Sequence, residues 1–341
     1  MKSRPTLKDI AAELNVSHPT VSRALADHDS ISDEMKAKVR EAARRLGYVA
    51  NSSARMLRRG HTDVIGLLLP DLTNEFYGAV ATRVADDCSH QGRQMVLSIS
   101  AGDPDRELAL VRALLESRPS GLIVALSPQA RAETIELLRG TSCVQFLVVH
   151  PRLGGPSVTV EDSGGARQAI EHLVKLGHRR IGFVGPSPTL HIGEARLRGV
   201  QQALKQQALK LDDRLVQLGP STAEFGHASV SALLDLPQPP TALYLSTAQL
   251  SHGGLRAIAE RRLQAPRDLS VVVAGNAPWY EFWPGGGLTS ITLPMAELAD
   301  AASALVMRKS ARRGAAAGAA VQLAFDLFVR GSTGPAKKSG R

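Results

Sequence analysis

The stretch that most constrains this chain is residues 6–25, because it predicts two short helices joined by a tight turn. Leu7, Ile10 and Leu14 recur at helical spacing and give the first helix one apolar face. Thr6 precedes that helix and has the side chain of an N-cap residue. Two short helices with a tight turn between them are typical of the helix-turn-helix motif, whose second helix enters the major groove of DNA.

The second helix is predicted over residues 18–25, with Ser17 as its N-cap and Pro19 in its first turn, where a missing N–H costs nothing. Val21, Ala24 and Leu25 are expected to face the first helix, which leaves four polar side chains pointing outward: His18, Thr20, Ser22 and Arg23. A third helix is predicted from the cap Ser32 through Leu46, ending at Gly47.

The charge of the chain is uneven. The net charge is +9 over 341 residues, and residues 1–60 hold twelve Lys and Arg against seven Asp and Glu, a net charge of +5. A small basic domain ahead of a less charged body is suited to binding phosphates at one end of the chain. The chain has no signal peptide and no apolar run near 18 residues, so a cytoplasmic, nucleoid-associated bacterial protein is expected.

Several motifs in order along the chain carry a family resemblance. They are Val16-Ser17-x-x-Thr20-Val21-Ser22-Arg23, Leu46-Gly47-Tyr48, Asn51-x-x-Ala54-Arg55-x-Leu57, Pro70-Asp71-Leu72-Thr73-Asn74, Leu176-Gly177-His178-Arg179-Arg180-Ile181-Gly182 and Arg330-Gly331-Ser332-Thr333. Together they resemble the lactose/galactose repressor (LacI/GalR) family over nearly the whole chain. The resemblance implies a transcriptional regulator, expected to be a repressor, that binds a near-palindromic operator as a dimer under the control of a small-molecule effector.

The resemblance also implies which residues contact DNA. A hinge helix, about residues 51–59, is expected to order on the operator, with Leu57 wedged into the minor groove. Ala50 stands where the family usually has proline, so the start of the hinge is less rigid. The expected DNA-binding residues are Thr6, Ser17, His18, Pro19, Thr20, Ser22, Arg23, Ser32, Asn51, Arg55, Leu57 and Arg58.

From residue 63 onward, apolar strand-like runs alternate with helical stretches, which predicts an α/β domain of doubly wound parallel sheets. The resemblance implies two lobes like those of periplasmic binding proteins. The expected domains are a DNA-binding domain over 1–60 and an effector-binding and dimerisation domain over 61–333. Lobe 1 is assigned to 62–162 and 293–320, lobe 2 to 163–292 and 321–333, and 334–341 to a disordered basic tail without leucine heptads.

No catalytic signature is present. The sequence lacks a P-loop, H-E-x-x-H, G-x-S-x-G and a strand-linked G-x-G-x-x-G, and its histidines show no metal-ligand spacing. An enzyme, a metal site and a cofactor are therefore not expected. Cys88 and Cys143 have no partner motif and are expected to be reduced and buried.

The effector is expected between the lobes, at the carboxyl ends of the strands. By resemblance, Arg196 matches the arginine that binds effector in many relatives. The expected effector-binding residues are Phe76, Tyr77, His150, Arg196, Phe225, Thr247, Asn276 and Trp279. Phe225 and Trp279 are equally compatible with a role in the core.

Departures from the family pattern bear on the charge of the effector. Acidic or amide residues usual at the strand ends are replaced by His150, Thr247-Ala248 and Gly275-Asn276. A cleft that keeps Arg196 but lacks acceptors favours an anionic ligand over a neutral sugar. The alternative is that effector control has been lost.

Two other classes of protein compete with a DNA-binding regulator. A two-lobed solute-binding protein shares the architecture but needs an export signal and no helix-turn-helix. An α/β enzyme with an added DNA-binding domain is disfavoured by the missing catalytic motifs.

Overall fold

The structure is a computed structural model that describes residues 5–25, 27–48, 62–72, 75–275, 277–311 and 319–337. The chain forms two compact units, Met1–Thr62 and Asp63–Arg341. The predicted hinge, residues 51–59, lies outside the described residues.

The first unit contains three helices, α1 (Leu7–Leu14), α2 (His18–Leu25) and α3 (Asp33–Leu46), which confirms the three helices predicted from the sequence. Their apolar faces meet in one small core that includes the buried side chains of Ile10, Val21 and Val39. The turn between α1 and α2 depends on Asn15, which takes the left-handed conformation at φ 51°.

The second unit alternates strands and helices. Its strands are β1 (Val64–Leu69), β2 (Gln94–Ile99), β3 (Gly121–Val124), β4 (Cys143–Phe146), β5 (Ser157–Val160), β6 (Ile181–Pro186), β7 (Val216–Gly219), β8 (Ala242–Leu245), β9 (Ser270–Ala274), β10 (Thr289–Thr292), β11 (Ala320–Leu323) and β12 (Asp326–Phe328). Its helices are α4 (Glu75–His90), α5 (Pro104–Glu116), α6 (Ala132–Leu138), α7 (Asp162–Lys175), α8 (His191–Gln206), α9 (Ala223–Leu234), α10 (Ala248–Glu260) and α11 (Met295–Ala311). Short 3₁₀ helices cover Asp213–Leu215 and Pro278–Phe282.

Two six-stranded sheets define two lobes. The first lobe contains the sheet in the order β11-β5-β4-β3-β1-β2, and all of its strands are parallel. The second lobe contains the sheet in the order β12-β10-β9-β8-β6-β7, in which only β12 runs antiparallel to its neighbour. The doubly wound α/β architecture predicted from the sequence is confirmed.

The chain crosses between the lobes three times. The first crossover joins β5 to α7, the second joins β10 to α11, and the third joins β11 to β12. The sequence prediction started the last second-lobe segment at residue 321, but β11 pairs in parallel with β5 and keeps residues 320–323 in the first lobe. The alternating apolar residues run on through β11 and β12 without a break, so the pattern does not reveal where the chain changes sheets.

The start of the predicted disordered tail is ordered. Gly334 donates its backbone N–H to Ser270 Oγ at 3.1 Å, and its carbonyl accepts from His178 Nε2 at 3.1 Å. The backbone N–H of Ala336 donates to the carbonyl of Leu176 at 2.8 Å. Composition suggested disorder, but these backbone partners hold residues 334–337; residues 338–341 lie outside the described part.

Both cysteines are buried and free, as the sequence predicted. Cys88 lies in the core between α4 and the first sheet, and Cys143 lies in the cluster on the other face of that sheet. Each face of the first sheet is therefore covered, as a parallel sheet requires.

Candidate DNA-binding and effector sites

The outward face of α2 is positioned by caps and by the core beneath it. Thr20 donates its backbone N–H to Ser17 Oγ at 3.3 Å, and the two hydroxyl groups lie 2.8 Å apart. Val21 and Ala24 are fully buried against the other helices. His18 and Arg23 consequently project from the exposed side of a short helix whose orientation within its unit is fixed.

The start of α1 is held by a reciprocal contact between two candidate residues. The Asp9 carboxylate accepts from the backbone N–H of Thr6 at 2.6 Å and from the Thr6 hydroxyl at 2.8 Å. These two hydrogen bonds lower the pKa of Asp9 below its ordinary value. Thr6 therefore has a structural role at the helix end, whatever it contacts on DNA.

Charge pairing separates Arg23 from the cations of α3. Within α3, ion pairs join Lys38 to Glu34 at 2.7 Å and Arg44 to Glu41 at 3.1 Å, and the other cations with acidic partners are Lys36, Arg40 and Arg45. Arg23 has no ion-pair partner among the described residues. An exposed, uncompensated guanidinium at the end of a recognition helix is suited to a base edge or a phosphate.

The predicted DNA-binding residues fall into three groups. Thr6, Ser17, His18, Pro19, Arg23 and Ser32 are exposed, whereas Thr20 and Ser22 are half-buried. Ser32 also caps α3, since its hydroxyl accepts from the backbone N–H of Met35 at 3.3 Å. The hinge residues Asn51, Arg55, Leu57 and Arg58 lie outside the described residues.

A second candidate site surrounds Arg196 at the carboxyl end of the second sheet. Arg196 lies on α8 and is buried, with 8% of its surface exposed. Its Nε and Nη2 atoms donate to Asp162 Oδ1 at 3.1 and 2.9 Å, and its Nη1 donates to the carbonyl of Ser246, directly after β8. The guanidinium also lies 5.7 Å from the centre of the Phe325 ring.

His150 is held at the carboxyl end of the first sheet. Its Nε2 donates to the carbonyl of Ser127 at 3.0 Å, and its backbone N–H donates to Gln145 Oε1 at 2.7 Å. The backbone N–H of Ser127 in turn donates to Glu107 Oε2 at 2.7 Å. These contacts link helix α5 to the ends of β3 and β4 and fix the position of the imidazole.

Two predicted aromatic contacts lie in and beside the core of the first lobe. Phe76 is buried, and its ring is parallel to that of Phe146 with the centroids 6.2 Å apart. Tyr77 is half-buried and meets Phe76 edge-on at 5.1 Å. Burial and the nearby charge of Asp71 raise the pKa of Tyr77. The structure thus gives Phe76 a packing role in place of the predicted position on the cleft wall.

The remaining predicted contacts are separated from one another. Thr247 caps α10, since its hydroxyl accepts from the backbone N–H of Leu250 at 3.2 Å. Phe225 is half-buried against the core of the second lobe. Trp279 contacts His252 and Trp283, with centroids 5.6 and 6.1 Å apart, and is 36% exposed. Asn276 lies outside the described residues.

The partners of Arg196 were not found from the sequence. Asp162 directly follows the end of β5, so the rule that ligands meet strand ends pointed to it as an acidic candidate. Ser246 contributes a backbone carbonyl, which no side-chain pattern reveals. Phe325 comes from the third crossover, and only the fold brings it beside Arg196.

Other kinds of site were searched for in the same coordinates. Across the described ranges, no group of three or more His, Cys, Asp or Glu side chains is arranged to hold a metal ion. In the part of the chain that the structure describes, none of the helices has both the length and the apolar character needed to cross a membrane.

Comparisons with known proteins agree with these two sites. The family described as "Bacterial regulatory proteins, lacI family" matches residues 6–51, and the "Periplasmic binding protein-like domain" matches residues 170–333. The transcriptional repressor CytR of Escherichia coli (strain K12) is 27% identical over 329 residues, covering 96% of each chain. The transcriptional regulator AglR of Rhizobium meliloti (strain 1021) is 30% identical, covering 97% of this chain and 94% of AglR.

Solved structures show the same fold. The Lac repressor dimer bound to operator and the anti-inducer ONPF superposes with a TM-score of 0.83 at 23% identity, covering 97% of this chain and 100% of that chain. The regulator CelR in complex with cellobiose superposes with a TM-score of 0.70 at 25% identity, covering 96% of this chain and 100% of that chain.

An exposed helix-turn-helix face and a two-lobed α/β domain together define a DNA-binding transcriptional regulator. The chain belongs to the LacI family of bacterial regulatory proteins, as the identity and coverage of AglR and the family match at the helix-turn-helix establish.

Proposed function

We propose that the protein is a homodimeric repressor that binds a near-palindromic operator and responds to a small-molecule effector between its lobes. The observation that carries the proposal is the face of α2, on which Arg23 is exposed and has no acidic partner within the described residues. Among relatives, CytR is named a transcriptional repressor, and the Lac repressor was solved as a dimer on its operator. We propose that the protein acts on chromosomal DNA in the bacterial cytoplasm.

A dimer follows from the size of the DNA-reading element. One helix of eight residues contacts few base pairs, so two copies related by a two-fold axis read two half-sites, and the operator mirrors their symmetry. We propose that the predicted hinge meets its partner between the half-sites, with Asn51, Arg55, Leu57 and Arg58 against the minor groove.

An exposed face on the second lobe supports the homodimer. A groove of about 360 Å³ between α9 and α10 is lined by Glu224, His227, His252 and Arg256, among others. His252 stacks on Trp279, so the groove continues into the 3₁₀ helix that carries Phe282, which is 82% exposed. We call this surface the aromatic face. Exposed aromatic residues beside Arg are enriched at protein interfaces, and a face with both charge signs can pair with its own copy.

We propose that the effector binds at the strand ends near Arg196 and His150. The expected anion rested on a guanidinium without acidic neighbours, but Asp162 pairs with Arg196, and the two charges cancel. The charge of the effector is therefore to be decided by experiment, with a neutral sugar and its phosphate ester as matched probes. CelR, solved with cellobiose, illustrates a neutral ligand in a related protein.

The DNA-binding proposal is tested by selecting operators from random DNA with the full-length protein. We expect enrichment of a two-fold symmetric sequence, and log K for that sequence falling linearly with log salt concentration. Unselected DNA of equal length is the control and should show a similar dependence with weaker binding. A protein that enriches no sequence, or only an asymmetric one, would contradict the proposal.

The effector proposal is tested by thermal unfolding in the presence of candidate ligands. A ligand at about 100 times its Kd stabilises the native state by about 2.7 kcal/mol, which is large enough to detect. A ligand that raises the Tm and also changes operator affinity meets the proposal. A screen in which no stabilising ligand alters DNA binding would favour loss of effector control.

A further inference from the structure

Arg196 contacts two of the three crossovers between the lobes. Asp162, which accepts from its Nε and Nη2 atoms, is the first residue after the first crossover. Phe325, whose ring lies 5.7 Å from the guanidinium carbon, belongs to the third crossover. One side chain on α8 thus joins the two chain segments that connect the sheets at this edge.

The first and third crossovers also contact each other directly. The backbone N–H of Glu161 donates to the carbonyl of Leu323 at 2.9 Å, and Gln168 on α7 donates its side-chain amide to the carbonyl of Phe325 at 3.1 Å. At Gly165 on α7, an added Cβ would lie 2.8 Å from the Phe325 ring. Phe325 is therefore packed between α7 and Arg196, and these contacts form a compact pivot.

Burial makes the Arg196 contacts sensitive to any competitor. The side chains of Arg196 and Asp162 are only 9% and 16% exposed. In such surroundings each charge requires its partner, because an unpaired buried charge is strongly disfavoured. A ligand group that draws the guanidinium away from Asp162 must therefore also change what holds the first crossover.

We propose that Arg196 clamps the pivot between the lobes, and that effector binding acts by competing with Asp162 and Phe325 for its guanidinium. A bound ligand that replaces these contacts frees the first and third crossovers from their common partner and allows a different tilt of the lobes. The proposal rests on the proposed effector site, and it adds that Arg196 controls DNA affinity even without ligand. A ligand shifts the equilibrium by the difference between its affinities for the clamped and released arrangements.

The clamp and an ordinary ligand contact predict different results in the absence of ligand. If Arg196 only binds effector, its replacement leaves ligand-free operator affinity at the wild-type value. If it clamps the pivot, replacement broadens the range of lobe tilts and changes that affinity. The most informative variants are Arg196→Lys, which keeps the charge but loses the planar two-toothed grip, and Phe325→Leu, which keeps an apolar side chain but removes the ring.

The experiment measures affinity of the full-length variants for the selected operator without ligand. We expect Arg196→Lys and Phe325→Leu each to lower it at least fivefold, and the double variant to lose less than the product of the two factors, because both disturb one contact set. The control is Arg198→Ala, which removes an exposed arginine from the same helix, paired with Glu194 at 3.6 Å. It should bind like wild type.

The outcomes separate this proposal from the function on which it rests. Operator affinities within twofold of wild type for both variants, together with a lost ligand response in Arg196→Lys, would overturn the clamp while leaving the effector site intact. Failure of the wild-type protein to bind any operator would instead contradict the proposed function. Circular dichroism and thermal unfolding confirm folding, and Phe325→Leu, the milder change, decides the matter if Arg196→Lys is unstable.

Discussion

The Glu107 carboxylate accepts a hydrogen bond from the backbone N–H of Ser127 at 2.7 Å through Oε2, while its Oε1 is buried with no partner among the described residues. Burial raises the pKa of Glu107 above its ordinary value of 4.5, and the hydrogen bond from Ser127 offsets only part of that rise. The carboxyl group therefore binds its proton more tightly in the native state than in the unfolded chain.

This difference in proton binding makes stability depend on pH. Between pH 4.5 and the raised native pKa, the native state holds more protons than the unfolded state, so the free energy of unfolding falls as the pH rises through that window. Glu107→Gln removes the titration while keeping an oxygen for Ser127. We expect the variant to gain stability relative to wild type as pH rises, measured by urea unfolding at several pH values. Parallel curves for the two proteins would contradict the assignment.

Replacing Arg23 should change base preference. An arginine can contact guanine O6 and N7 together, so Arg23→Ala should cost about 1–3 kcal/mol per half-site and relax the choice at one base pair. Competition with single-base operator variants measures this effect. The matched control is Arg44→Ala, which removes an exposed arginine already paired with Glu41. Equal weakening on all sequences would make Arg23 a phosphate contact.

Polar substitution on the aromatic face should weaken the homodimer. Phe282→Ser removes the most exposed large apolar side chain that the structure describes, and buried aromatic residues at interfaces often cost 2 kcal/mol or more when truncated, by the order of magnitude of measured hot spots. Sedimentation over a dilution series should show dissociation at higher protein concentration. Phe328→Ser on β12, where the ring is 45% exposed, is the control and should leave the assembly unchanged.

The crossing of α9 and α10 should not tolerate a methyl group. An added Cβ at Gly253 would lie 1.8 Å from the carbonyl oxygen of Ala223, so Gly253→Ala must push the helices apart and should destabilise the second lobe by about 1–3 kcal/mol or more. Gly78→Ala on α4 is the control, since nothing lies within 4 Å of its added Cβ, and Ala is favoured in a helix by about 1 kcal/mol. Chemical unfolding of both variants compares them.

Removing His178 should release the end of the described chain. Its imidazole is buried, lies 2.9 Å from Thr241 Oγ1 and donates to the carbonyl of Gly334. His178→Ala should cost about 1–3 kcal/mol through unpaired buried groups, and should speed amide exchange at Ala336. Burial also lowers the pKa of His178, so the unfolded state binds more protons and stability falls as the pH drops below its ordinary value of 6.5. Unchanged exchange at Ala336 would contradict this role.

The sequence predicted the local elements well because their causes are local. The caps at Thr6, Ser17 and Ser32 and the apolar spacing of α1 and α2 are properties of neighbouring residues, and the structure confirms those helices. The parallel sheets were predictable for a similar reason, since each buried strand is a continuous apolar run between helical stretches.

The sequence did not predict the surroundings of Arg196, because they depend on long-range contacts. Asp162 and Ser246 are 34 and 50 residues away along the chain. The position of β11 was missed for a related reason: pairing with β5 spans more than 150 residues, and the alternating pattern is the same in either sheet. The ordered residues 334–337 depend on a histidine from a distant turn, which composition does not reveal.

The three crossovers have a consequence for the order in which the protein is made. Helix α11 and strand β11 complete the first lobe, and β12 completes the second, so both lobes need the last fifty residues of the chain. On the ribosome, neither sheet obtains its edge strand β11 or β12 until synthesis is nearly finished. The helix-turn-helix unit has its own core and is translated first. A nascent chain thus acquires a folded DNA-reading unit well before it acquires the two lobes that would control it.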